Sequence, residues 1–116
     1  MSRHDNGTSM QHMMDHSREA RELIQGKDRS DLDSNRVLLL ALVRLMEIVG
    51  EAARRVSDET QTRHPEIPWP QIISLRNRLI HGYDSVDLDV LWEILTGDLP
   101  LLIGQLEKII GPDAKA

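Results

Sequence analysis

Apolar residues recur along this chain every three to four positions, which is the spacing of an α-helix, and they fall into four blocks. The first block predicts a helix over residues 9–25, with Thr8 or Ser9 as N-cap and Gly26 at its end. Residues 27–33 follow as a charged connector. The apolar stripe of this first helix comprises Met10, Met13, Met14, Ser17, Ala20, Leu23 and Ile24.

The second block predicts a helix over residues 35–57, with Ser34 as its N-cap. Its apolar side chains cover more than one face. One side carries Leu38, Leu39, Leu42, Leu45, Met46, Val49 and Ala53, and the others carry Val37, Leu40, Ala41, Ile48 and Ala52. A helix that is apolar nearly all round is buried on most sides. In a small domain, this pattern predicts contacts with both the chain's own core and a second protomer.

Prolines separate the second block from the third. Residues 58–69 are predicted to form a polar connector, because Pro65, Pro68 and Pro70 prevent a helix from continuing there. Pro70 suits the first turn of a third helix over residues 70–81. Gly82 is then the expected left-handed terminator of that helix.

A fourth block starts after Asp87, a good N-cap, and runs to about residue 110. The run 97–100 should kink this helix or split it, with Asp98 capping the second piece. The tail from Gly111 is expected to be frayed. The pattern therefore predicts an all-α bundle of four or five helices. It forms one domain over 1–116, ordered from about 9 to 110, with 1–8 and 111–116 flexible.

Composition narrows the class of protein. The chain has 116 residues, suited to one core, and no Cys, so disulfides and thiolate metal sites are excluded. Residues 1–11 lack a signal peptide's apolar segment, and the longest apolar run, 37–43, is too short for a membrane span. We expect a soluble cytoplasmic protein with no membrane partner.

The net charge of −5 argues against general nucleic-acid binding, so any RNA contacts must come from a local cluster or a partner.

Candidate chemistry is concentrated in residues 76–83, with Arg76, Asn77, Arg78 and His81. On a helix advancing ~100° per residue, Arg76 and His81 lie ~140° apart. They could serve one substrate lying across the helix end, or meet across a two-fold axis. Histidine transfers protons near neutral pH and arginine binds phosphate, which together suit metal-free RNA cleavage. The spacing alone leaves an alternative open, in which His81 caps a helix and both arginines are solvated.

Longer stretches around these residues resemble a known family. The segment IISLRNRLIHGYDSVDLDVLWEIL (72–95) resembles the HepT-like family of the HEPN superfamily, whose R-N-x-x-x-H-x-Y motif is matched by Arg76, Asn77, His81 and Tyr83. The segment LVRLMEIVGEAARRVS (42–57) is similar to the family's second helix, and residues 65–69 to its connector. The resemblance covers about residues 38–106.

The resemblance implies an all-helical, HEPN-like homodimer that acts as a metal-independent endoribonuclease, with no cofactor and no DNA partner. It implies that Arg76 and His81 are catalytic and that Asn77 lines the same cleft. Arg78 lies outside the motif, but its place on the same helix and the affinity of arginine for phosphate predict that it binds and orients the substrate together with Asn77. Such proteins are toxins of type VII-like toxin–antitoxin pairs. Their antitoxin is a minimal nucleotidyltransferase, which in some systems adenylylates the motif tyrosine, here Tyr83. The alternative is a non-catalytic helical partner subunit of a nucleotidyltransferase.

Glu47 and Glu51 could form a carboxylate pair, but Arg44 and Arg54 or Arg55 lie on neighbouring turns, which favours ion pairs. A supporting role, in which these glutamates orient Arg76, stays open.

Two other features have simpler interpretations. His12 and His16, with Asp15 between them, have a spacing that can chelate a metal on one helix face, yet no third ligand is identifiable. A solvated helix face is the better interpretation. Trp69 and Trp92 are expected to be core or interface anchors rather than base-stacking surfaces.

Overall fold

The computed structural model describes residues 5–82 and 85–111, and its architecture is all-α. The first half contains α1 (Asn6–Leu23), α2 (Asp31–Ser34), α3 (Arg36–Arg54) and α4 (Asp58–Arg63). The second half contains α5 (Trp69–Ile73), α6 (Leu75–Leu79), β1 (Ile80–His81), β2 (Ser85–Val86), α7 (Leu88–Glu93), a π-helical turn (Ile94–Asp98) and α8 (Leu99–Ile110). The all-α bundle predicted from the sequence is confirmed. Two sets of predicted positions lie outside the described residues. One is Tyr83, the predicted adenylylation site, and the other comprises parts of the predicted flexible ends, residues 1–4 and 112–116.

The core lies where α1 packs against α3 and α8, and where α3 packs against α5 and α6. The predicted stripe of α1 is buried except for Leu23, which is exposed. Met13, Met14, Leu42 and Met46 are inaccessible to solvent. Burying a side chain of this size stabilises the fold by roughly 1.5–3 kcal/mol. The aliphatic packing of α1 on α3 therefore fixes the frame on which the later helices are placed.

The N-caps predicted for the first and second helices are wrong. Helix α1 begins at Asn6, because Asp5 accepts hydrogen bonds from the backbone N–H and the hydroxyl of Thr8. Helix α3 is capped by Asn35, whose side chain accepts the Leu38 N–H at 3.0 Å. Ser34 is still helical, as the last residue of α2, and the backbone becomes extended only at Asn35. In both places an Asp or Asn carbonyl oxygen reaches the first turn, as effective caps do.

The predicted connector over residues 58–69 is also wrong in part, because α4 forms inside it. Ser57 accepts the Thr60 N–H, and two acidic residues follow in the first turn. Asn6 of α1 fixes this start from outside, accepting the Ser57 N–H at 2.9 Å and donating to the Thr60 hydroxyl at 3.0 Å. Helix α4 therefore forms without an apolar stripe, because the Ser57 cap, the acidic residues of its first turn and the contact with Asn6 stabilise it.

The third predicted helix is divided and shorter than expected. It breaks at Ser74, whose hydroxyl donates to the Pro70 carbonyl at 2.8 Å, and it ends at Leu79. Residues Ile80 and His81 instead form β1, which pairs antiparallel with β2 so that Ile80 faces Val86 and His81 faces Ser85. Gly82 is left-handed, with φ of +72°, but it turns this hairpin rather than ending a helix.

The last block matches its prediction more closely. Asp87 caps α7 by accepting the Val90 N–H at 3.0 Å, and the helix continues to Ile110. The predicted kink is a π turn, closed by a hydrogen bond from the Leu99 N–H to the Ile94 carbonyl. Asp98 makes no cap and pairs with Arg78 instead, which corrects that prediction. Within residues 5–82 and 85–111, no helix has the length and apolar character needed to cross a bilayer.

Candidate functional site

A cleft of about 390 Å³ lies between α3 and the α5–α6 pair. Its lining is strongly charged, with three arginines and two glutamates among the residues Arg44, Glu47, Gly50, Glu51, Arg54, Ile73, Arg76 and Asn77. Two of the four motif residues, Arg76 and Asn77, are therefore brought together here. The cleft carries one more positive than negative side chain, in a chain whose net charge is −5. All three arginines are paired with these glutamates, so the excess of positive charge is a single side chain.

Helix α3 supplies one wall because its charged residues 44, 47, 51 and 54 recur at helical spacing and share a face. The predicted ion pairs are present: Glu47 lies 3.5 Å from Arg44, and Glu51 lies 3.2 Å from Arg54. Glu47 has a second contact, which crosses the cleft, with its Oε2 accepting a hydrogen bond from Nε of Arg76 at 3.2 Å.

The contact between Glu47 and Arg76 fixes the orientation of the arginine. The Glu47 side chain is 25% exposed and that of Arg76 is 61% exposed, so a half-buried carboxylate holds a guanidinium that extends into solvent. Within the described residues the Arg76 side chain makes this single hydrogen bond, through Nε. Its two terminal nitrogens therefore keep their donors for a ligand, in the forked geometry that binds phosphate oxygens.

Gly50 lies in the lining of the cleft, at a close approach between α3 and α5. A Cβ atom at this position would lie 3.1 Å from the Ile72 carbonyl oxygen and 3.3 Å from that of Ile73. Both neighbours are backbone atoms, so a side chain here would have to displace α5. Gly50 thus sets the distance between the Glu47 wall and the Arg76 wall.

We expect Gly50→Ala to lower the free energy of unfolding by about 1 kcal/mol, because overpacking costs ~1–3 kcal/mol and improved helix propensity recovers only ~1 kcal/mol. Gly104→Ala is the matched control, since a Cβ there meets nothing within 4 Å. That variant should gain up to ~1 kcal/mol. Urea unfolding of both variants measures the difference. Equal stabilisation by the two substitutions would contradict the close approach at Gly50.

His81 lies outside the residues that line this cleft. It sits on β1 with its side chain 62% exposed, and its Nε2 is 3.7 Å from Oδ2 of Asp87. The helical angle between Arg76 and His81 used above does not apply, because the chain leaves the helix at Leu79. The contact with Asp87 was missed from the sequence. Asp87 is recognisable there only as a helix cap, and the pairing depends on the hairpin.

Arg78 faces away from Arg76. Its Nη1 lies 3.4 Å from Oδ2 of Asp98, and it lines a separate cavity with Leu101 and Gln105. The structure therefore does not bring Arg78 to the cleft of its own chain, and its orienting role stays a prediction. Tyr83 belongs to the residues that are not described.

The remaining candidates are structural. Trp69 is buried and donates its indole N–H to the His64 carbonyl at 3.0 Å, which confirms it as a core anchor, and Trp92 packs half-buried against the core. The His12 and His16 rings lie 6.2 Å apart, and His16 pairs with Glu19. Across the described ranges, no three His, Asp or Glu side chains are arranged to hold a metal ion.

An exposed apolar surface continues from the cleft along α3. Val37 is 79% exposed and Leu40 is 53% exposed, at the N-terminal end of that helix. We call this surface the apolar patch. It consists of these two exposed residues and the half-buried Leu39, Val43, Ile80, Val86 and Leu88. All of them except Val37 line a cavity of about 400 Å³, whose lining also contains Arg36 and Ser85. Residues 40, 44, 47, 51 and 54 recur at helical spacing, so the patch and the charged cleft are consecutive parts of one face of α3.

Comparison with known proteins places these features in a family context. A family model described as Ribonuclease HepT-like matches residues 13–109. The chain is 38% identical over 95 residues to a probable ribonuclease HepT of Thermococcus cleftensis, covering 78% of this chain and 86% of that protein. It is 29% identical over 109 residues to a putative RNase of Methanocaldococcus jannaschii, covering 94% and 100%. A putative RNase of Caldanaerobacter subterraneus is 34% identical over 89 residues, covering 77% and 80%. No solved structure matches the chain.

Proposed function

The chain belongs to the HepT-like ribonuclease family, and from this premise we propose that it is a metal-independent endoribonuclease whose chemistry is carried by Arg76 and His81. The observation that carries the proposal is the Arg76 guanidinium in the lining of the cleft, held at Nε by Glu47 while its terminal nitrogens keep their donors. Asn77 on the same wall supplies a neutral group that can orient the phosphate or a base.

The proposed reaction needs only proton transfer and charge stabilisation. His81 accepts the proton of a ribose 2′-OH while the 2′ oxygen attacks the adjacent phosphorus. The bond from phosphorus to the 5′ oxygen then breaks, and that oxygen takes a proton from the imidazolium. Arg76 binds the phosphate oxygens as negative charge grows on them. The products are a 2′,3′-cyclic phosphate and a free 5′-OH.

We further propose that the active form is a homodimer. Arg76 lies in the cleft, whereas His81 lies on the hairpin beside the apolar patch. A second copy packed on the patch through a two-fold axis would cover exposed Leu40 and lie beside the cleft, since both occupy one face of α3. His81 of the partner subunit could then reach the phosphate bound by Arg76. Such a dimer also accounts for a second helix that is apolar on several sides.

The deciding experiment incubates the purified protein with single-stranded RNA in excess EDTA. We expect cleavage that leaves 2′,3′-cyclic phosphate ends, and no cleavage of the same oligonucleotide when every 2′-OH is methylated. Cleavage that EDTA abolishes and Mg²⁺ restores would contradict the metal-independent mechanism. RNA that stays intact under all conditions would contradict the endoribonuclease activity. It would favour the alternative, in which the protein is a non-catalytic partner subunit of a nucleotidyltransferase.

The proposal includes control by a minimal nucleotidyltransferase antitoxin that adenylylates Tyr83. Tyr83 is two residues from His81 in the sequence, so an attached AMP would add bulk and negative charge beside the imidazole and compete with RNA phosphate. The same cleavage assay tests this step after incubation with ATP and a minimal nucleotidyltransferase. The wild type should lose activity, whereas Tyr83→Phe should retain it.

A further inference from the structure

The two oxygens of the Asp87 carboxylate have different neighbours. Its Oδ1 accepts the Val90 N–H at 3.0 Å and caps α7, while its Oδ2 lies 3.7 Å from Nε2 of His81. The Asp87 backbone N–H also donates to the Leu79 carbonyl at 2.8 Å, where α6 ends. Both its main chain and one of its carboxylate oxygens are therefore fixed, and the second oxygen has little freedom to turn away from the imidazole.

The hairpin brings His81 to this carboxylate. Pairing of His81 with Ser85 returns the chain beside β1, and the left-handed Gly82 permits the tight turn. Asp87 follows β2 directly, six residues after His81 in the sequence. The 3.7 Å separation is an ion-pair distance rather than a hydrogen bond, and contacts of this type in free enzymes tighten when substrate binds.

We propose that Asp87 is a positioning residue that keeps the proton of neutral His81 on Nε2, so that Nδ1 is the nitrogen that exchanges a proton with RNA. The negative charge of an ionised carboxylate favours the tautomer whose N–H is on the ring nitrogen that faces it, and the other nitrogen then keeps the lone pair. The assignment of Nδ1 rests on the proposed function. The Asp87–His81 contact itself does not.

Asp87→Asn separates the two roles of this carboxylate. Asparagine caps helices as well as aspartate does, so its Oδ1 can still accept the Val90 N–H and α7 should be retained. The amide NH₂ then occupies the place of Oδ2 and offers a donor to Nε2. This reverses the tautomer and leaves the proton on Nδ1. Asp89→Asn is the matched control, because Asp89 is an exposed neighbour in the same first turn, paired with Arg29 and not with His81.

Long-range ¹⁵N spectra of the imidazole nitrogens, assigned with a His81→Gln sample, provide the test. We expect the Nε2–H form in the wild type and in Asp89→Asn, and the Nδ1–H form in Asp87→Asn. A wild type with the proton on Nδ1, or an Asp87→Asn variant with the wild-type tautomer, would overturn the proposal. Melting temperatures within experimental error of each other should show that the cap is retained.

Kinetics supply the second measurement. For RNA cleavage we expect Asp87→Asn to lower kcat on the order of 10²-fold, with KM changed by less than about twofold, because the imidazole is wrongly protonated while Arg76 still binds phosphate. Asp89→Asn should keep the wild-type kcat. If the wild type does not cleave RNA, the proposed function fails, but the spectra still decide whether Asp87 sets the tautomer.

Discussion

Replacing His81 by glutamine is expected to lower the rate of RNA cleavage about 10³-fold, within the range of general acid–base catalysis. Glutamine preserves the approximate size and hydrogen-bonding capacity of the side chain, but it cannot accept and release a proton near neutral pH. The imidazole is 62% exposed, and Asp87 is its ion-pair partner. The substitution should therefore leave the fold intact, and KM should change far less than kcat.

The control for this variant is His16→Gln. His16 lies on α1, pairs with the neighbouring Glu19, and is partly exposed, so it offers the same chemical change away from the cleft and the hairpin. Single-turnover cleavage in EDTA and thermal unfolding should be measured for both proteins. A His81→Gln protein that cleaves at the wild-type rate would remove His81 from the mechanism, whereas an equal loss in both variants would indicate a nonspecific effect.

Replacing Leu40 by glutamate is expected to convert the proposed dimer into monomers, with a dissociation constant raised at least about 10²-fold, because an unpaired charge is costly to bury in an interface. Leu40 is 53% exposed in the single chain, so the change should cost the monomer fold little. If His81 of the partner subunit completes the site, cleavage should fall in parallel with the dimer fraction and recover at high protein concentration.

Leu101→Glu is the matched control for the apolar patch. Leu101 is 71% exposed on α8 and lines the cavity beside Arg78, not the patch. Light scattering across a concentration series should find a dimer for the wild type and Leu101→Glu, and a monomer for Leu40→Glu. A wild type that is monomeric at micromolar concentration, or a Leu40→Glu dimer with full activity, contradicts the shared site.

The helices with a strong apolar stripe were predictable, because burying one face of a helix places apolar residues at every third or fourth position of the sequence. Residues Met10, Met13 and Met14 of α1 show that period and are buried. Helix α4 escaped prediction because Thr60 is its buried residue and its start depends on Asn6, more than fifty positions away. The hairpin escaped because Ile80 continues the helical spacing of the third block. Strands of two residues have no period of their own.

Contacts in the site that depend on the spacing of residues along a helix were predictable from the sequence. Contacts that depend on the β1–β2 hairpin were not. The sequence leaves open a supporting role in which Glu47 orients Arg76, and the cleft contains the contact between the two side chains. The opposite direction of Arg78 follows from helix geometry, since two residues advance about 200° and reach the other face. The neighbour of His81 could not be inferred, because its identity depends on the register of β1 and β2.

The π turn at Ile94–Asp98 also determines the direction in which the buried face of α8 points relative to that of α7. Buried residues along α7, the turn and α8 include Leu91, Leu95, Leu99, Leu102 and Leu106. Their mean separation exceeds 3.6 residues, so in a regular helix the row would drift steadily around the axis. The π turn contains one residue more than an α-helical turn, so the buried residues before and after it stay on the same side of the helix. A helix can accommodate the insertion of a single residue in this way. The length of this segment is therefore constrained more tightly than its composition.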